Sequence, residues 1–262
     1  MSIHHYDRYN FEKGQTASTL ADATYQHAIS EALASRRQSL ETAVDVLLSR
    51  IDTLTEAATS LVETLQSGHK ALIAGNGGSA AEAQHFAAEL VGRFKRERAP
   101  YAAIALTADS AIVTAIANDY SFQDVFARQV YALGQPEDML IVFSTSGESE
   151  NLVQAARAGH QLSMRVTAIT GDKPNRLARL ADVAVRIPGI DTATTQELHM
   201  MITHILCDIV EKQLSGCENL DIDANSPHAH RFIAQDKRTD QLVAQDTHPR
   251  RVTTPGTRED AQ

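Results

Sequence analysis

Lys70-Ala71-Leu72-Ile73-Ala74-Gly75-Asn76-Gly77-Gly78-Ser79 is the stretch on which the fold turns. A short apolar run stops at Gly75, and a glycine-rich turn then opens a segment, Ala80 to Leu90, whose apolar residues recur at helical spacing. That order predicts strand, loop, helix. The same alternation returns at Ala102 to Leu106, Met139 to Phe143, Arg165 to Thr170 and Val183 to Ile187, with helical segments between most of the runs. Short runs without polar alternation suit strands covered on both faces, so the pattern predicts an α/β protein with five buried parallel strands.

On the N-terminal side, Leu40, Ala43, Leu47 and Ile51, then Leu54, Ala58, Leu61 and Leu65, form helical stripes with no proline among them. Two or more helices are therefore expected before the first strand. Residues 1–18 are polar and aperiodic, an expected loose arm. On the other side, a last helix is expected from about Thr194 to Leu214, stopped by Ser215-Gly216. Residues 215–262 are rich in charge and proline and poor in clustered aliphatics, which predicts a polar tail without its own core. The single structured domain is thus expected over residues 19–214.

Length and composition agree with one such domain. The chain has 262 residues, 43% hydrophobic and 22% charged, ordinary values for a globular protein. A net charge of −9 argues against a nucleic-acid-binding surface, since phosphate backbones are held mainly by Lys and Arg. Any phosphate must then be bound locally. Of the two cysteines, Cys207 falls in an apolar helical pattern and reads as a packed thiol, which with Cys217 makes no disulfide framework and fits a reducing cytoplasm. No basic and apolar leader opens the sequence and no apolar run approaches membrane-spanning length, so neither secretion nor membrane insertion is expected.

In an open parallel sheet, ligands bind beyond the carboxyl ends of the strands. Two loops qualify. Gly75-Asn76-Gly77-Gly78-Ser79 would let backbone N–H groups approach an anion, with the Ser79 hydroxyl at a helix start. Ser144-Thr145-Ser146-Gly147-Glu148-Ser149 crowds hydroxyls into a turn before the helical run Leu152 to Leu162. Such a loop holds phosphate without a lysine or arginine, in keeping with an acidic protein. Each loop is also readable as a plain turn with capping residues. Neither has the Gly-Lys-Ser/Thr of a P-loop.

Along the helix after the first loop, His85 and Glu89 are one turn apart on one face, with Glu82 on nearly the same side. Gln196, Met200 and His204 share a stripe of the last helix. Either set is compatible with a surface pair or a hydrogen-bonded core histidine as well as with a site. His228 and His230, a His-x-His in the tail, read as solvated histidines.

Taken together, Gly75-Asn76-Gly77-Gly78-Ser79, His85 with Glu89, Ala117-Asn118-Asp119, Ser144-Thr145-Ser146-Gly147, and Gln196-Glu197-Leu198-His199 with His204 resemble the phosphoheptose isomerase family. The resemblance runs from about Leu33 to Leu214. It implies a SIS fold, a flavodoxin-like five-stranded parallel sheet between helices with an N-terminal helical extension, assembled as a homotetramer with sites at subunit interfaces. It further implies that Asn76, Gly77, Gly78, Ser79, Ser144, Thr145, Ser146 and Ser149 contact a sugar phosphate, the hydroxyl loop chiefly through the phosphate. Asn118 and Asp119 would contact the sugar chain, with Gln196 also at the substrate. Glu148 departs from the family pattern, and its carboxylate would have to point away from the anion.

By the same resemblance, Glu89 and His204 are the catalytic acid/base pair, and His85, Glu89, Gln196 and His204 a site for one zinc per subunit. Two imidazoles, a carboxylate and an amide oxygen form an N/O set that zinc accepts. The implied reaction converts sedoheptulose 7-phosphate to a heptose 7-phosphate through an enediol, with Glu89 as base and His204 as acid. Replication-initiator-associating proteins share the fold and phrases such as Thr114-Ala115-Ile116-Ala117-Asn118-Asp119, but act by binding a protein and lack the acid/base pair present here. A sensor or isomerase of another sugar phosphate is the third reading, since phosphate loops recur across the fold while sugar-facing residues vary; a regulator or glucosamine synthase would be expected to carry a second module.

Overall fold

A computed structural model describes residues 18–189 and 191–215. The arm up to residue 17, the tail beyond Ser215, and with it Cys217, His228 and His230, lie outside the described residues. Two helices come first, α1 (Ser18–Ser49) and α2 (Ile51–Gln66), and then strands and helices alternate. They are β1 (Ala71–Gly75), α3 (Gly78–Val91), β2 (Ala103–Ala105), α4 (Ser110–Asp119), α5 (Ala127–Leu133), β3 (Met139–Ser144), α6 (Glu150–Gln161), β4 (Arg165–Gly171), α7 (Arg176–Leu180), β5 (Val183–Ile187) and α8 (Thr192–Leu214).

All five strands are parallel, in the order β2-β1-β3-β4-β5. Register explains the two-sided burial. Ile73 pairs with Ile141 and that residue with Thr167, while Leu72 pairs with Leu140 and that residue with Val166. Because successive side chains point to opposite faces, Ala71, Ile73, Met139, Ile141 and Phe143 enter one core with α1, α2, α3 and α8. Leu72, Ala74, Leu140, Val142, Val166 and Ala168 enter the other with α5, α6 and α7. Each fully buried Leu, Ile or Phe contributes roughly 1.5–3 kcal/mol, so the central strands anchor whatever the loops at their ends carry.

The edge differs from the sequence expectation. β2 is three residues long rather than five and only half buried, with Ile104 38% exposed, because a strand paired on one side alone has fewer neighbours to cover it. The other four strands begin and end within a residue of their expected limits. The N-terminal helical stretch is interrupted only at Arg50, whose guanidinium donates to Asp172 after β4 and ties the α1–α2 junction to the carboxyl end of the sheet.

Candidate active site

From β1 the chain crosses to β2 on one side and then to β3 on the other, so the strand order reverses between β1 and β3. A crevice opens outside the carboxyl ends of such a pair, and both loops singled out in the sequence leave those two strands. Gly75 pairs with Phe143, which sets the loops side by side. Asn76 and Asn151 join them: each amide donates to the other at 2.9 Å, fixing the first loop to the first turn of α6.

Local backbone chemistry shapes both turns. Gly77 has φ +57° and introduces α3, and a Cβ on Gly75 would overlap the Ser79 carbonyl. Ser79 is buried and its N–H donates to the Asn76 carbonyl. In the second loop Gly147 has φ +66°, and its N–H donates to Ser144 Oγ at 3.0 Å. Ser146 Oγ accepts from the Glu148 N–H, and Ser149 occupies the N-cap of α6 without a capping bond from its hydroxyl. Two helix N-termini therefore face a crevice lined with hydroxyls and N–H groups, an arrangement suited to an anion. Glu148 does turn elsewhere: its carboxylate accepts the Arg176 N–H at the start of α7.

Asn175 backs the second loop. Its amide donates to Thr170 Oγ1, Gly171 O and Lys173 O, and a Cβ on Gly147 would run into it. The sequence reading passed over Asn151 and Asn175, since each matters through a partner distant in the chain.

Helices α3 and α8 run side by side in the same direction, linked at successive levels. The Gln196 amide lies so close over Gly78 that no Cβ would fit there. One turn on, Glu82 Oε2 meets His199 Nδ1 at 3.1 Å, both residues buried. His85 Nε2 then meets His204 Nε2 at 2.9 Å, and Glu89 Oε1 is 3.4 Å from His85 Nε2. His85, Glu89 and His204 thus bring two imidazoles and a carboxylate together, with ligand atoms within 4.8 Å of one another, all three partly accessible. Glu82 was legible as sharing a face with His85 and Glu89, but its buried partner His199 was not. Glu82 and His199 brace the two helices directly beside the triad.

Of the other expected site residues, Gln196 shares the α8 stripe but its amide is held at Gly78, seven residues and about 10 Å of helix before His85. Asn118 and Asp119 end α4, exposed, and the Asn118 amide donates to the Asp119 carboxylate. Thr145 sits half-buried in the second loop.

Cys207 is buried below the triad; burial, then the nearby Glu89 and Glu211 carboxylates, push its thiol up to about 12. A thiol held protonated is a poor nucleophile. In a Cys217→Ser variant, Cys207 is expected to react with a disulfide reagent at neutral pH only when the protein is unfolded. Stoichiometric labelling of the folded variant within minutes would contradict that environment.

The donor set passes a test of fit for a metal ion. Two imidazoles and one carboxylate are the three-ligand set of open catalytic zinc centres, which keep a fourth position for substrate or water. Both facing Nε2 atoms bring lone pairs or a single shared proton to the same small space, the situation a cation resolves.

A family model described as SIS domain matches residues 26–171. A curated phosphoheptose isomerase from Thiobacillus denitrificans is 49% identical over 184 residues, 69% of this chain and 92% of that protein. One from Shewanella frigidimarina is 43% identical over 180 residues, 68% of this chain and 91% of that protein. Among solved structures, the phosphoheptose isomerase of Neisseria gonorrhoeae superposes with a TM-score of 0.66 at 38% identity, over 72% of this chain and 99% of that one. That of Francisella tularensis gives 0.65 at 37% identity, over 71% and 98%.

Proposed function

This chain belongs to the phosphoheptose isomerases of the SIS-domain family, and we propose that it converts sedoheptulose 7-phosphate to D-glycero-D-manno-heptose 7-phosphate through an enediol, supplying a heptose precursor. The observation that carries the reading is the meeting of Glu89, His85 and His204 on helices that rise from a hydroxyl-lined crevice at the reversal of strand order. A replication-initiator-associating binding protein would share the fold and phrases such as Thr114 to Asp119, and the presence of both acid/base residues favours the enzyme.

The crevice binds the phosphate through the N–H groups and hydroxyls of residues 144–149, with Asn76 to Ser79 closing over the adjoining part of the substrate. A phosphate bound here needs no lysine. Glu89 removes a proton from C1, and the electron pair forms the C1–C2 double bond while His204 gives a proton to the C2 oxygen. His204 then takes the proton of the C1 hydroxyl as the C1 carbonyl forms, and Glu89 returns a proton to C2. Atoms and charge balance, and both groups end as they began.

His85, Glu89 and His204, with Gln196 as a fourth ligand, would hold one zinc per subunit, and a bound zinc supplies a Lewis acid for a developing enediolate oxygen. Gln196 rests over Gly78 within its own chain, so its joining the set calls for a shift of its side chain or for a neighbouring subunit's copy.

A homotetramer with sites at subunit interfaces is part of the same proposal. Helix α4 buries none of its residues within the chain although its sequence is mostly apolar, and Tyr120 and Phe122 just beyond it are 61% and 57% exposed. Leu48, Ile51, Met201 and Ile205 form an exposed apolar groove between α1, α2 and α8. Apolar surface of this kind marks protein contacts. Docking α4 against a second copy would also carry the exposed Asn118 and Asp119 to a sugar chain. No helix among the described residues is long and apolar enough to cross a membrane, and a cytoplasmic location is proposed from the sparse cysteine usage of the sequence, two in 262 residues with Cys207 buried in α8.

Purified protein incubated with sedoheptulose 7-phosphate is expected to yield the aldoheptose phosphate by NMR, and absence of product in every metal condition would refute the assignment. Exhaustive chelation is expected to lower the rate at least about a hundredfold, with restoration by one equivalent of zinc per subunit. Full activity in metal-free protein, verified by elemental analysis, would remove zinc from the account.

A further inference from the structure

After α3 the segment Gly92–Ala99 turns back to α8, where one carboxylate gathers it. The backbone N–H groups of Phe94, Lys95 and Arg96 donate to Glu211 at 2.8, 2.9 and 3.0 Å, and Arg98 Nε donates at 3.2 Å. The Arg98 guanidinium also donates to the carbonyls of Glu89, Leu90, Gly92 and Ala99. Glu211 and Arg98 side chains are each 1% exposed. Burial alone would raise the Glu211 carboxyl, but the three N–H groups and the guanidinium outweigh it and hold the group below its ordinary range. A buried charge satisfied by so many donors has one orientation, and so does the turn that supplies them.

What the turn carries is Phe94. Its ring stacks on the His204 imidazole, centroids 5.1 Å apart and planes 18° from parallel. Lys95 Nζ lies 4.7 Å from the Phe94 ring and 3.6 Å from Asp208, which steadies the ring from the same turn. His85 meets the imidazole edge-on, at 5.2 Å and 68°. The second torsion of histidine has a broad preference, so the rotamer alone does not set the plane of the ring. A stacked neighbour does.

We propose that Gly92–Ala99 is a positioning strap: Glu211 pins it, and Phe94 sets the plane of the His204 imidazole so that Nε2 faces His85 and Glu89. In this role Phe94 and Glu211 act through His204. The proposal rests on the isomerase reading for its catalytic consequence, but the orientation of the ring is a property of the protein alone.

The test compares the unaltered protein with Phe94→Leu, Phe94→Tyr and Glu211→Gln in steady-state kinetics on sedoheptulose 7-phosphate and in crystal structures. Leucine keeps the bulk and loses the flat face, so Phe94→Leu is expected to lower kcat about ten- to a hundredfold, the range for a supporting contact to a functional histidine. KM should stay within about twofold, because the phosphate loops are untouched. Phe94→Tyr should restore kcat to within about twofold, which a general loss of stability would not do. His204 should be rotated or split between orientations in Phe94→Leu and ordered in Phe94→Tyr. Glu211→Gln should follow Phe94→Leu; if it does not fold, the Phe94 pair decides. An ordered, unrotated His204 in folded Phe94→Leu with unchanged kcat overturns the strap and leaves the isomerase reading standing. If the unaltered protein forms no product, the isomerase reading falls, and the His204 orientation still decides the strap.

Discussion

Glu89→Gln is expected to lose about three orders of magnitude in kcat on sedoheptulose 7-phosphate, within the range general acid–base groups contribute. KM is expected to change by no more than about threefold. The amide has nearly the shape of the carboxylate and keeps an oxygen toward His85, so helix and triad stay in place, but it takes no proton from C1. The side chain is 20% exposed and sits on the accessible face of α3, so the melting temperature should stay close to that of the unaltered protein. The neighbouring carboxylate on the same helix, Glu82, is buried against His199 and is not placed to replace it. A Glu89→Gln protein with more than a tenth of normal kcat would take the base role from Glu89.

The second large effect is expected from Gly147→Ala. Gly147 has φ +66°, which costs an L-residue roughly 1–2 kcal/mol, and the new methyl would also press into Asn175. Asn175 is fixed by its three amide donations and by accepting the Ala178 N–H, so it yields only by giving up bonds. Together these predict a loss of about 3 kcal/mol in stability. They also predict a rise in KM of at least about tenfold as the loop at Ser144 to Ser149 is displaced, with kcat less affected. Gly68→Ala is the control. Gly68 has φ +81° with nothing near its Cβ position, at the opposite end of β1, and should lose stability through backbone strain while leaving KM unchanged. Chemical denaturation and initial rates on the two variants separate strain in general from damage to the proposed phosphate-binding loop.

How much of this was legible before the fold was known depends on whether the signal is local. Ala71 to Gly75 and Met139 to Ser144 are strands because two-sided burial makes them continuously apolar, and the glycines and hydroxyls that follow announce their loops. His85 and Glu89 were readable as neighbours because four residues make about one turn. Their meeting with His204, 119 residues beyond His85, came from resemblance and not from spacing. The Asn76–Asn151 pair, the Asn175 backing and the Glu211 strap left no local trace, since an Asn or Glu in the sequence does not say which distant backbone it will meet. Gln196 shows the limit from the other side. The resemblance put it in one ligand set with His204, yet eight residues of helix separate the two, and close packing against Gly78 holds the amide at another level. β2 is shorter than its apolar run because burial at a sheet edge is set by what covers the edge, not by the run itself.

The most direct test of the central claim is to follow sedoheptulose 7-phosphate with the zinc-loaded protein in D₂O by NMR, beside Glu89→Gln. The account predicts an aldoheptose 7-phosphate that carries solvent deuterium at C2, formed by the unaltered protein and not measurably by the variant, because the hydrogen passes through the Glu89 carboxyl. No aldoheptose phosphate from the unaltered protein, or equal formation by both proteins, would contradict it.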